Sequence, residues 1–528
     1  MSLKKACGAP LVDMVLERLA QVAHRLDEGR HLARDPLVLA AVEPEQRTRD
    51  SLRLLTPGRH PVEAHSHGQT RAARGELRGK AAAPRTGSAC PRCRLRGPPV
   101  VILPKGTQLS IKKGDMNSTI GDPEPATAGA EAVRRHQVVI VGGGTAGISV
   151  AARLCRALRE PDVAIVEPSE THYYQPLWTL TGAGVVAKEK SARPQAGLIP
   201  RGATWIRARV SKLDPDANQV LTDEGERIEY ELLVVACGIE LDWKGVIGLE
   251  GNVGRNGVCT NYAYEECERT WETIRGFQGG TALFTMPPPP IKCAGAPQKI
   301  MYLADDAWRK RGVRERTRIV YAAATPVIFP VKEYAQPLER VIARKGIETL
   351  YGHELVELRA DERQAVFVDH TRGERVTLAY DMIHVVPPQR APAIVRESPL
   401  ADADGWLEVD RHTLRSPRYP NVFALGDASS APTSKTGAAI RKQAPVLAGN
   451  VLALLRGEGP QAFGSYDGYT SCPLITGYGK LILAEFDYDK KPTPTFPFDQ
   501  TRERWSMYQL KRYGLPALYW HGMLKGRW

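Results

Sequence analysis

Cys293 stands where a cysteine is expected to be reactive. It follows Lys292 and comes just ahead of the predicted helix APQKIMYLADDAWRK. A neighbouring cation and a helix N-terminus both stabilise a thiolate, the nucleophilic form of cysteine. A second cysteine, Cys472, lies in the Tyr- and Gly-rich stretch YDGYTSCPLITGYGKLILAEFDY. The sequence alone does not bring the two together, so it predicts redox or nucleophilic chemistry at Cys293 only.

The other cysteines are read differently. Cys155 and Cys237 are interpreted as small core residues, and Cys259 and Cys267 are left open between core and functional roles. The pair Cys90-Pro-Arg-Cys93 has no partner ligands at a spacing typical of zinc. No metal site is therefore expected.

Three glycines form a dinucleotide-binding motif. Gly142, Gly144 and Gly147 follow the strand QVVIV in the pattern G-x-G-x-x-G, which allows a tight turn and a close approach to a pyrophosphate. Glu167 ends the next strand, where an acid can bind ribose hydroxyls. A purely structural glycine turn is the alternative, but the order of strand, helix, strand and acid favours a nucleotide site.

A second signal near the C-terminus favours FAD over NAD as the ligand. In YPNVFALGDASSAPTSKTGAAIRKQAPVLAGNV, a strand ends at Gly426-Asp427 and a long helix follows. Such an Asp can bind the ribityl chain of a flavin; an Asp that only caps a helix is the alternative. The middle of the chain has no second glycine motif, because TALFTM continues into four prolines that offer no N–H donors. NAD(P)H is therefore not expected as the electron donor.

The elements that must position these residues alternate between strand and helix. Short β-branched runs such as ELLVVACG, TRIVYAAA and MIHVVPP are separated by helices or turns. This alternation predicts an α/β protein with a parallel, helix-covered sheet.

The net charge of +13 is unevenly distributed. Residues 51–100 hold ten Lys or Arg and only two acids, so the surplus does not indicate a nucleic-acid-binding protein. Residues 1–135 are predicted to be a basic, low-complexity extension that does not fold on its own. Met116 is an alternative start of the chain.

From about His136 onward, the chain resembles the sulfide:quinone oxidoreductases of mitochondria and many bacteria. The resemblance rests on IVEPSETHYYQPLWTLTGAG, IPRGATWIRARV, IKCAGAPQKIMYLA, GDASSAPTSKTGAA, YDGYTSCPLITGY and FPFDQTRERWSMY. It implies two Rossmann-like, doubly wound three-layer domains of the flavin disulfide-reductase type, followed by a C-terminal membrane-associating segment. The implied layout is an FAD-binding domain in two parts, 136–260 and 386–465, a second Rossmann-like domain at 261–385, and a C-terminal region at 466–528.

The resemblance also implies roles for particular residues. Cys293 and Cys472 become the catalytic pair, joined by a disulfide or a sulfur-bridged form of it. Hydrosulfide attacks this bridge and leaves a persulfide on Cys472, and two electrons pass through FAD to ubiquinone or menaquinone. Glutathione, sulfite or cyanide takes the sulfane sulfur. The implied FAD-binding residues are Gly142, Gly144, Thr145, Ala146, Gly147, Glu167, Gln175, Val210, Gly426, Asp427, Lys435 and Gly437.

The last 28 residues contain six Lys or Arg, one acid and six Trp or Tyr. This composition suits a monotopic anchor, and the resemblance implies that the membrane is a bacterial or mitochondrial inner membrane. Removal of such an anchor should spare the sulfide reaction. A C-terminal helix packed on the core is the competing interpretation. For function, the alternatives are an NADH:quinone-type flavin enzyme and a non-enzymatic FAD-binding protein.

Overall fold

The computed structural model describes residues 133–527. The predictions for the basic extension up to residue 132, for the Cys90–Cys93 pair and for a start at Met116 lie outside the described residues.

The described part contains twenty-one strands and nine α-helices. The strands are β1 (Arg134–Val141), β2 (Val163–Val166), β3 (Thr171–Tyr173), β4 (Ala192–Pro194), β5 (Ala203–Ile206), β6 (Val210–Asp214), β7 (Gln219–Thr222), β8 (Arg227–Val235), β9 (Glu240–Leu241), β10 (Val258–Cys259), β11 (Gly280–Met286), β12 (Thr317–Ala323), β13 (Glu348–Tyr351), β14 (His353–Arg359), β15 (Gln364–Asp369), β16 (Glu374–Ala379), β17 (Met382–His384), β18 (Gln389–Arg390), β19 (Val422–Ala424), β20 (Thr470–Gly477) and β21 (Lys480–Phe486). The helices are α1 (Thr145–Ala157), α2 (Trp178–Thr181), α3 (Cys267–Gly276), α4 (Ala296–Lys310), α5 (Lys332–Lys345), α6 (Ala393–Arg396), α7 (Gly437–Leu455), α8 (Trp505–Gln509) and α9 (Leu515–His521).

The first sheet has the order β5-β2-β1-β8-β7-β6, and β19 also pairs with β8. Strands β5, β2, β1, β8 and β19 are parallel, whereas β6 and β7 form an antiparallel extension. The last four residues of β1 are all buried, as expected for a central strand covered on both faces. Because β19 comes from residues 422–424, two distant stretches of the chain complete this sheet.

The second sheet, β10-β17-β11-β12-β13, is entirely parallel. Strand β11 leads into the loop that carries Cys293, and α4 begins three residues later. Pro297 lies in the first turn of α4, where its missing N–H costs nothing. A separate antiparallel sheet, β14-β15-β16, was not predicted from the sequence.

The C-terminal part begins with the antiparallel hairpin β20–β21, which packs against α4. Helix α8, a π-helical turn at Leu510–Gly514 and α9 follow it. Among residues 133–527, no helix has the length and apolar character needed to cross a bilayer.

Candidate functional site

An open cavity of about 280 Å³ lies where the two dinucleotide-type sheets, the β20–β21 hairpin and the C-terminal helices meet. Thr145 at the start of α1 and Gly437 at the start of α7 contribute to its wall. Cys293 and Lys299 line it from the loop before α4 and from α4 itself. The parts of the chain singled out for chemistry therefore converge on one cavity.

The cysteines at 293 and 472 are neighbours in this structure. Their Sγ atoms are 3.3 Å apart, and both are free thiols. Strand β20 brings Cys472 to α4, and Gly295 permits this approach, because a Cβ there would lie 2.2 Å from Leu474 Cδ2. The geometry thus brings together two residues that are 179 positions apart in the sequence.

The backbone of Cys293 adopts a left-handed conformation, with φ of 59°. This conformation is uncommon for a residue with a Cβ atom and carries strain. Two hydrogen bonds hold it: the Cys293 N–H donates to the Lys435 carbonyl over 2.8 Å, and the Cys293 carbonyl accepts from the Ala296 N–H over 2.8 Å. These hydrogen bonds fix the backbone conformation and thereby the direction of the Cys293 side chain.

The two thiols differ in acidity. The adjacent Cys472 thiol holds the pKa of the Cys293 thiol well below its usual range, whereas burial alone would raise that pKa. Lys299 Nζ, 3.4 Å from Cys293 Sγ, and the Gly295 N–H lower that pKa further. The neighbouring Cys293 and burial raise the pKa of Cys472. Cys293 is therefore the thiolate of the pair, and Cys472 is the thiol that can donate a hydrogen bond to it.

Lys292, Lys299 and Lys511 line the same cavity as Cys293, and Lys299 is the one of the three that contacts its sulfur atom. Burial lowers the pKa of Lys511 to about 7 and that of Lys292 to about 8. Lys511 Nζ donates to the Pro176 carbonyl over 2.9 Å, and Lys292 Nζ donates to Gln175 Oε1 over 3.0 Å. Sequence reasoning missed Lys299 and Lys511. Lys299 could have been found, because it interrupts the apolar face of the predicted helix.

The first glycine turn is as crowded as its sequence suggests. Gly142 has φ of 102°, and a Cβ there would lie 2.6 Å from the Ala236 carbonyl oxygen. A Cβ on Gly147 would lie 1.9 Å from the Gly142 oxygen, whereas one on Gly144 would meet nothing within 4 Å. The turn therefore closes tightly behind Gly144 and leaves space in front of it, at the N-terminus of α1, where a phosphate can bind.

The Glu167 carboxylate is fixed beside this turn. Its Oε2 accepts from the Gly143 N–H and its Oε1 accepts from the Ser169 N–H, both over 2.7 Å. Each oxygen keeps a lone pair for a further donor. A ribose diol can supply such donors.

Asp427 faces the cavity from the turn after β19. Burial raises the pKa of its carboxyl, and the positive charges of Lys435 and Lys292 oppose that rise. Lys435 Nζ donates to the Asp427 and Ser429 carbonyls over 2.6 and 3.1 Å. A Cβ on Gly437 would meet nothing within 4 Å. An acidic acceptor, an open helix N-terminus and the α1 turn together fit the hydroxyl, phosphate and ring groups of FAD.

The residues predicted to bind the cofactor fall into two sets. Those that line the cavity are Thr145, Gln175, Asp427, Lys435 and Gly437. Those that do not line it are Gly142, Gly144, Ala146, Gly147, Glu167, Val210 and Gly426. Val210 is buried at the start of β6 and packs in the core beside the first sheet.

Among the cysteines of the described part, Cys293 lines the cavity, whereas Cys472 is 0% exposed and does not line it. The remaining four cysteines also lie outside the cavity wall. Burial raises the pKa of Cys155 to about 11 and those of Cys237, Cys259 and Cys267 to about 12. Their thiols are therefore protonated and unreactive near neutral pH.

The C-terminal segment, residues 501–527, is packed on the core. Tyr519, Trp520, Met523 and Leu524 are each no more than 5% exposed. The Tyr519 hydroxyl contacts Thr145 Oγ1 over 2.8 Å and forms a short hydrogen bond with His172 Nε2. This segment thus touches the first residue of α1, directly beside the glycine turn.

Comparison with known proteins gives the class first. Residues 136–272 match the family model described as pyridine nucleotide-disulphide oxidoreductase. The crystal structure of the sulfide:quinone oxidoreductase of Aquifex aeolicus shares the fold, with a TM-score of 0.61 and 20% identity over 75% of this chain and 92% of that one. The chain is thus an α/β protein with the fold of this flavin-dependent oxidoreductase class.

Closer relatives give the family. The chain is 45% identical to the mitochondrial sulfide:quinone oxidoreductase of Mus musculus, over 75% of this chain and 88% of the relative. It is 47% identical to the protein of the same name from Dictyostelium discoideum, over 74% of this chain and 86% of the relative. The chain belongs to the sulfide:quinone oxidoreductase family.

Proposed function

We propose that this protein oxidises sulfide at the Cys293–Cys472 pair and passes the electrons through FAD to a quinone. The supporting observation is the pair itself: two sulfur atoms 3.3 Å apart, one with a lowered pKa, beside a cavity bounded by two dinucleotide-type turns. Membership of the family supports the same reaction.

The first step acts on the disulfide form of the pair. Hydrosulfide attacks Cys472 Sγ, a new S–S bond forms there, and the Cys293–Cys472 bond breaks. The products are a persulfide on Cys472 and a thiolate on Cys293. Attack on Cys472 is favoured because the thiol of lower pKa is the better leaving group. Lys299 and the Gly295 N–H stabilise the thiolate that leaves.

The protein positions the reacting groups around FAD. When bound, FAD would accept the electron pair released as Cys293 and Cys472 return to the disulfide after the outer sulfur has left, and it would pass that pair to quinone. The α1 turn and Glu167 would hold its phosphate and ribose groups, and Asp427 and the N-terminus of α7 would hold its ribityl chain and ring. The strained Cys293 backbone keeps the thiolate directed to the cavity. A small nucleophile such as glutathione, sulfite or cyanide would then take the persulfide sulfur from Cys472.

The other substrate would be an apolar quinone, either ubiquinone or menaquinone. Leu483, Phe496, Leu515, Leu518 and Met523 give one side of the cavity an apolar wall. Three of these five residues belong to the C-terminal segment. This arrangement supports entry of the quinone beside that segment.

We also propose that the segment rests on a membrane surface, on a bacterial or mitochondrial inner membrane. Trp505 and Tyr513 are 49% and 48% exposed. Large aromatic side chains and flanking basic residues are typical of proteins that lie in the headgroup region. The relatives above carry the word mitochondrial in their names.

We also propose that the chain from residue 136 onward is divided into the domains that the resemblance implies. Strands of 134–235 and 422–424 share the first sheet, and strands of 258–384 form the second. These sheets support an FAD-binding domain built from two parts around a second Rossmann-like domain.

Steady-state turnover with a soluble quinone tests the reaction. The purified holoenzyme should reduce the quinone with sulfide as electron donor and should not do so with NADH. Reduction by NADH and not by sulfide would show an NADH:quinone enzyme instead, and no reduction with either donor would support a binding protein.

Binding to anionic vesicles tests the membrane surface. The double variant Trp505→Ala/Tyr513→Ala should bind vesicles more weakly than the unmodified protein, and high salt should weaken both because lipid attraction is screened. Equal binding by the two proteins would contradict the proposed surface.

A further inference from the structure

The Tyr519 hydroxyl joins the C-terminal helix α9 to the first glycine turn. It lies 2.8 Å from Thr145 Oγ1 and forms a short hydrogen bond with His172 Nε2. Tyr519 is 3% exposed, and both Tyr519 and Thr145 line the cavity. Because Thr145 is the first residue of α1, helix α9 is bonded to the helix N-terminus at which a phosphate can bind.

The partners of His172 fix the direction of these hydrogen bonds. Gln195 Nε2 donates to the Gly143 carbonyl over 2.8 Å, which leaves Gln195 Oε1 to face the imidazole. His172 Nδ1 lies 3.2 Å from that Oε1 and 3.2 Å from the Gly143 carbonyl oxygen. Both oxygens are acceptors, so Nδ1 carries the hydrogen atom. Burial lowers the pKa of His172 to about 4, so the ring is neutral near pH 7 and its Nε2 is an acceptor.

The Tyr519 hydroxyl therefore donates to His172 Nε2 and accepts from the Thr145 hydroxyl. Through these bonds, one tyrosine of the C-terminal segment acts on two residues of the glycine turn, Thr145 directly and Gly143 by way of His172. The Glu167 carboxylate also holds the Gly143 N–H, over 2.7 Å. The turn is thereby held in one conformation, and a site that is already ordered loses less conformational freedom when its ligand binds.

We propose that Tyr519 is a positioning residue for FAD, which keeps the glycine turn and the Thr145 hydroxyl arranged for the pyrophosphate of the cofactor. This inference rests on the function and the FAD site proposed above, and adds to them a residue of the C-terminal segment. The ring of Tyr519 packs on that of Tyr174, with the two centroids 4.4 Å apart. The hydroxyl can therefore be removed while the packing of the ring is kept.

Tyr519→Phe removes the hydroxyl alone. FAD should leave the holoprotein of this variant about 10-fold faster than it leaves the unmodified protein, the effect expected when the bound state loses about one net hydrogen bond. The holoprotein is diluted, and the FAD that passes a protein-retaining filter is measured at intervals. Neither sulfide nor quinone is present in this assay.

Tyr334→Phe is the matched control. Tyr334 is 2% exposed, and its hydroxyl donates to the Glu485 carbonyl over 3.2 Å and accepts from the Glu485 N–H over 3.3 Å. It does not line the cavity. This variant also loses two hydrogen bonds of a buried tyrosine, so its Tm should fall, but it should release FAD at the unmodified rate.

A double-mutant cycle tests whether Tyr519 acts through Thr145. Thr145→Val removes the other partner of the same hydrogen bond and should also speed the release of FAD. In Tyr519→Phe/Thr145→Val, the increase in release rate should be smaller than the product of the two single increases, because both substitutions remove one shared bond.

Each other outcome overturns the inference. Release of FAD at the unmodified rate in Tyr519→Phe, or equally fast release in Tyr334→Phe, would show that the hydroxyl does not act on the cofactor site. A Tyr519→Phe protein that does not fold would assign the hydroxyl to folding, and single effects that multiply in the double variant would separate Tyr519 from Thr145. Because the assay contains no sulfide, failure of the proposed reaction would leave these release rates unchanged, and the two failures are distinguishable.

Discussion

At the residue scale, the pKa of the Cys293 thiol is lowered and that of the Cys472 thiol is raised, although their sulfur atoms are 3.3 Å apart. The sequence predicted a reactive Cys293 from Lys292 and the following helix. In the structure, the nearer cation is Lys299, one turn into α4, and Lys292 instead donates to Gln175. Sequence neighbours therefore indicated a cationic environment, but the lysine within hydrogen-bond distance of the sulfur is Lys299 rather than Lys292.

Removing either sulfur atom should abolish the sulfide reaction. Cys293→Ala and Cys472→Ala are each expected to slow sulfide-dependent quinone reduction by at least about a thousandfold, because loss of a covalent participant removes the reaction route itself. Steady-state assays on FAD-loaded variants measure this. Cys155→Ala, whose thiol lies outside the cavity wall, is the control and should keep normal turnover. Near-normal turnover of either alanine variant would refute the role of the pair.

Lys511 should make stability depend on pH. Its pKa is about 7 in the folded protein against an ordinary value of 10.5, so the unfolded state binds more protons between these values. The free energy of unfolding should therefore rise from pH 7 to pH 10, with a slope contribution of up to about 1.4 kcal/mol per pH unit. Lys511→Met lacks this contribution.

Thermal unfolding of both proteins across this range tests the prediction. The Tm of the variant relative to that of the unmodified protein should be highest near pH 7 and should fall as the pH rises. Lys332→Met, at an exposed lysine at the start of α5, should show no such trend. A constant difference between Lys511→Met and the unmodified protein would contradict the lowered pKa.

At the element scale, α4 holds the site because both of its ends are fixed. Its N-terminus follows Cys293, and its C-terminal half carries Asp305, which is fully buried. Asp305 accepts hydrogen bonds from Arg314 over 2.6 Å, from Lys345 over 2.8 Å and from Arg309 over 3.0 Å. This cluster ties α4 to α5.

Asp305→Asn should destabilise the protein by about 3 kcal/mol, because Arg314 and Lys345 lose a buried counter-charge, although Asp306 still pairs with Lys345. Chemical unfolding of the FAD-loaded protein measures the loss. Glu348→Gln, which breaks a half-exposed pair with Arg318, is the control and should cost no more than about 1 kcal/mol. If the two variants are equally stable, the Asp305 cluster does not hold α4.

The C-terminal helices give a second prediction at this scale. Composition alone suggested an anchor whose removal spares the sulfide reaction. The buried side chains of Met507, Tyr519, Trp520 and Leu524 predict otherwise, because each large apolar side chain contributes about 1.5–3 kcal/mol when buried.

A chain ending at residue 500 should therefore lose FAD and unfold at a lower temperature. FAD content per chain and Tm are the measurements. The full-length Trp505→Ala/Tyr513→Ala variant should keep its FAD, since both side chains are half-exposed. Full FAD retention by the truncated chain would show that the packing of the segment is dispensable.

At the scale of the whole molecule, local sequence patterns were enough to predict the α/β class, because each buried parallel strand and the glycine turn consist of contiguous residues. They did not give β14–β16, since the outer strands HELVELR and ERVTLA are rich in charged residues, or the convergence of Cys293 with Cys472. That convergence depends on the packing of β20 against α4. From the sequence it came only through resemblance to a family.

The central claim is that electrons from sulfide enter FAD through the cysteine pair. Anaerobic titration of the FAD-loaded protein with sulfide, followed by flavin absorbance and then by addition of a soluble quinone, tests it most directly. Sulfide should bleach the flavin of the unmodified protein, and the quinone should restore the absorbance of the oxidised flavin. The flavin of Cys293→Ala and of Cys472→Ala should stay oxidised in the presence of sulfide. A flavin that sulfide leaves oxidised, or that sulfide bleaches equally well in the cysteine variants, would contradict the claim.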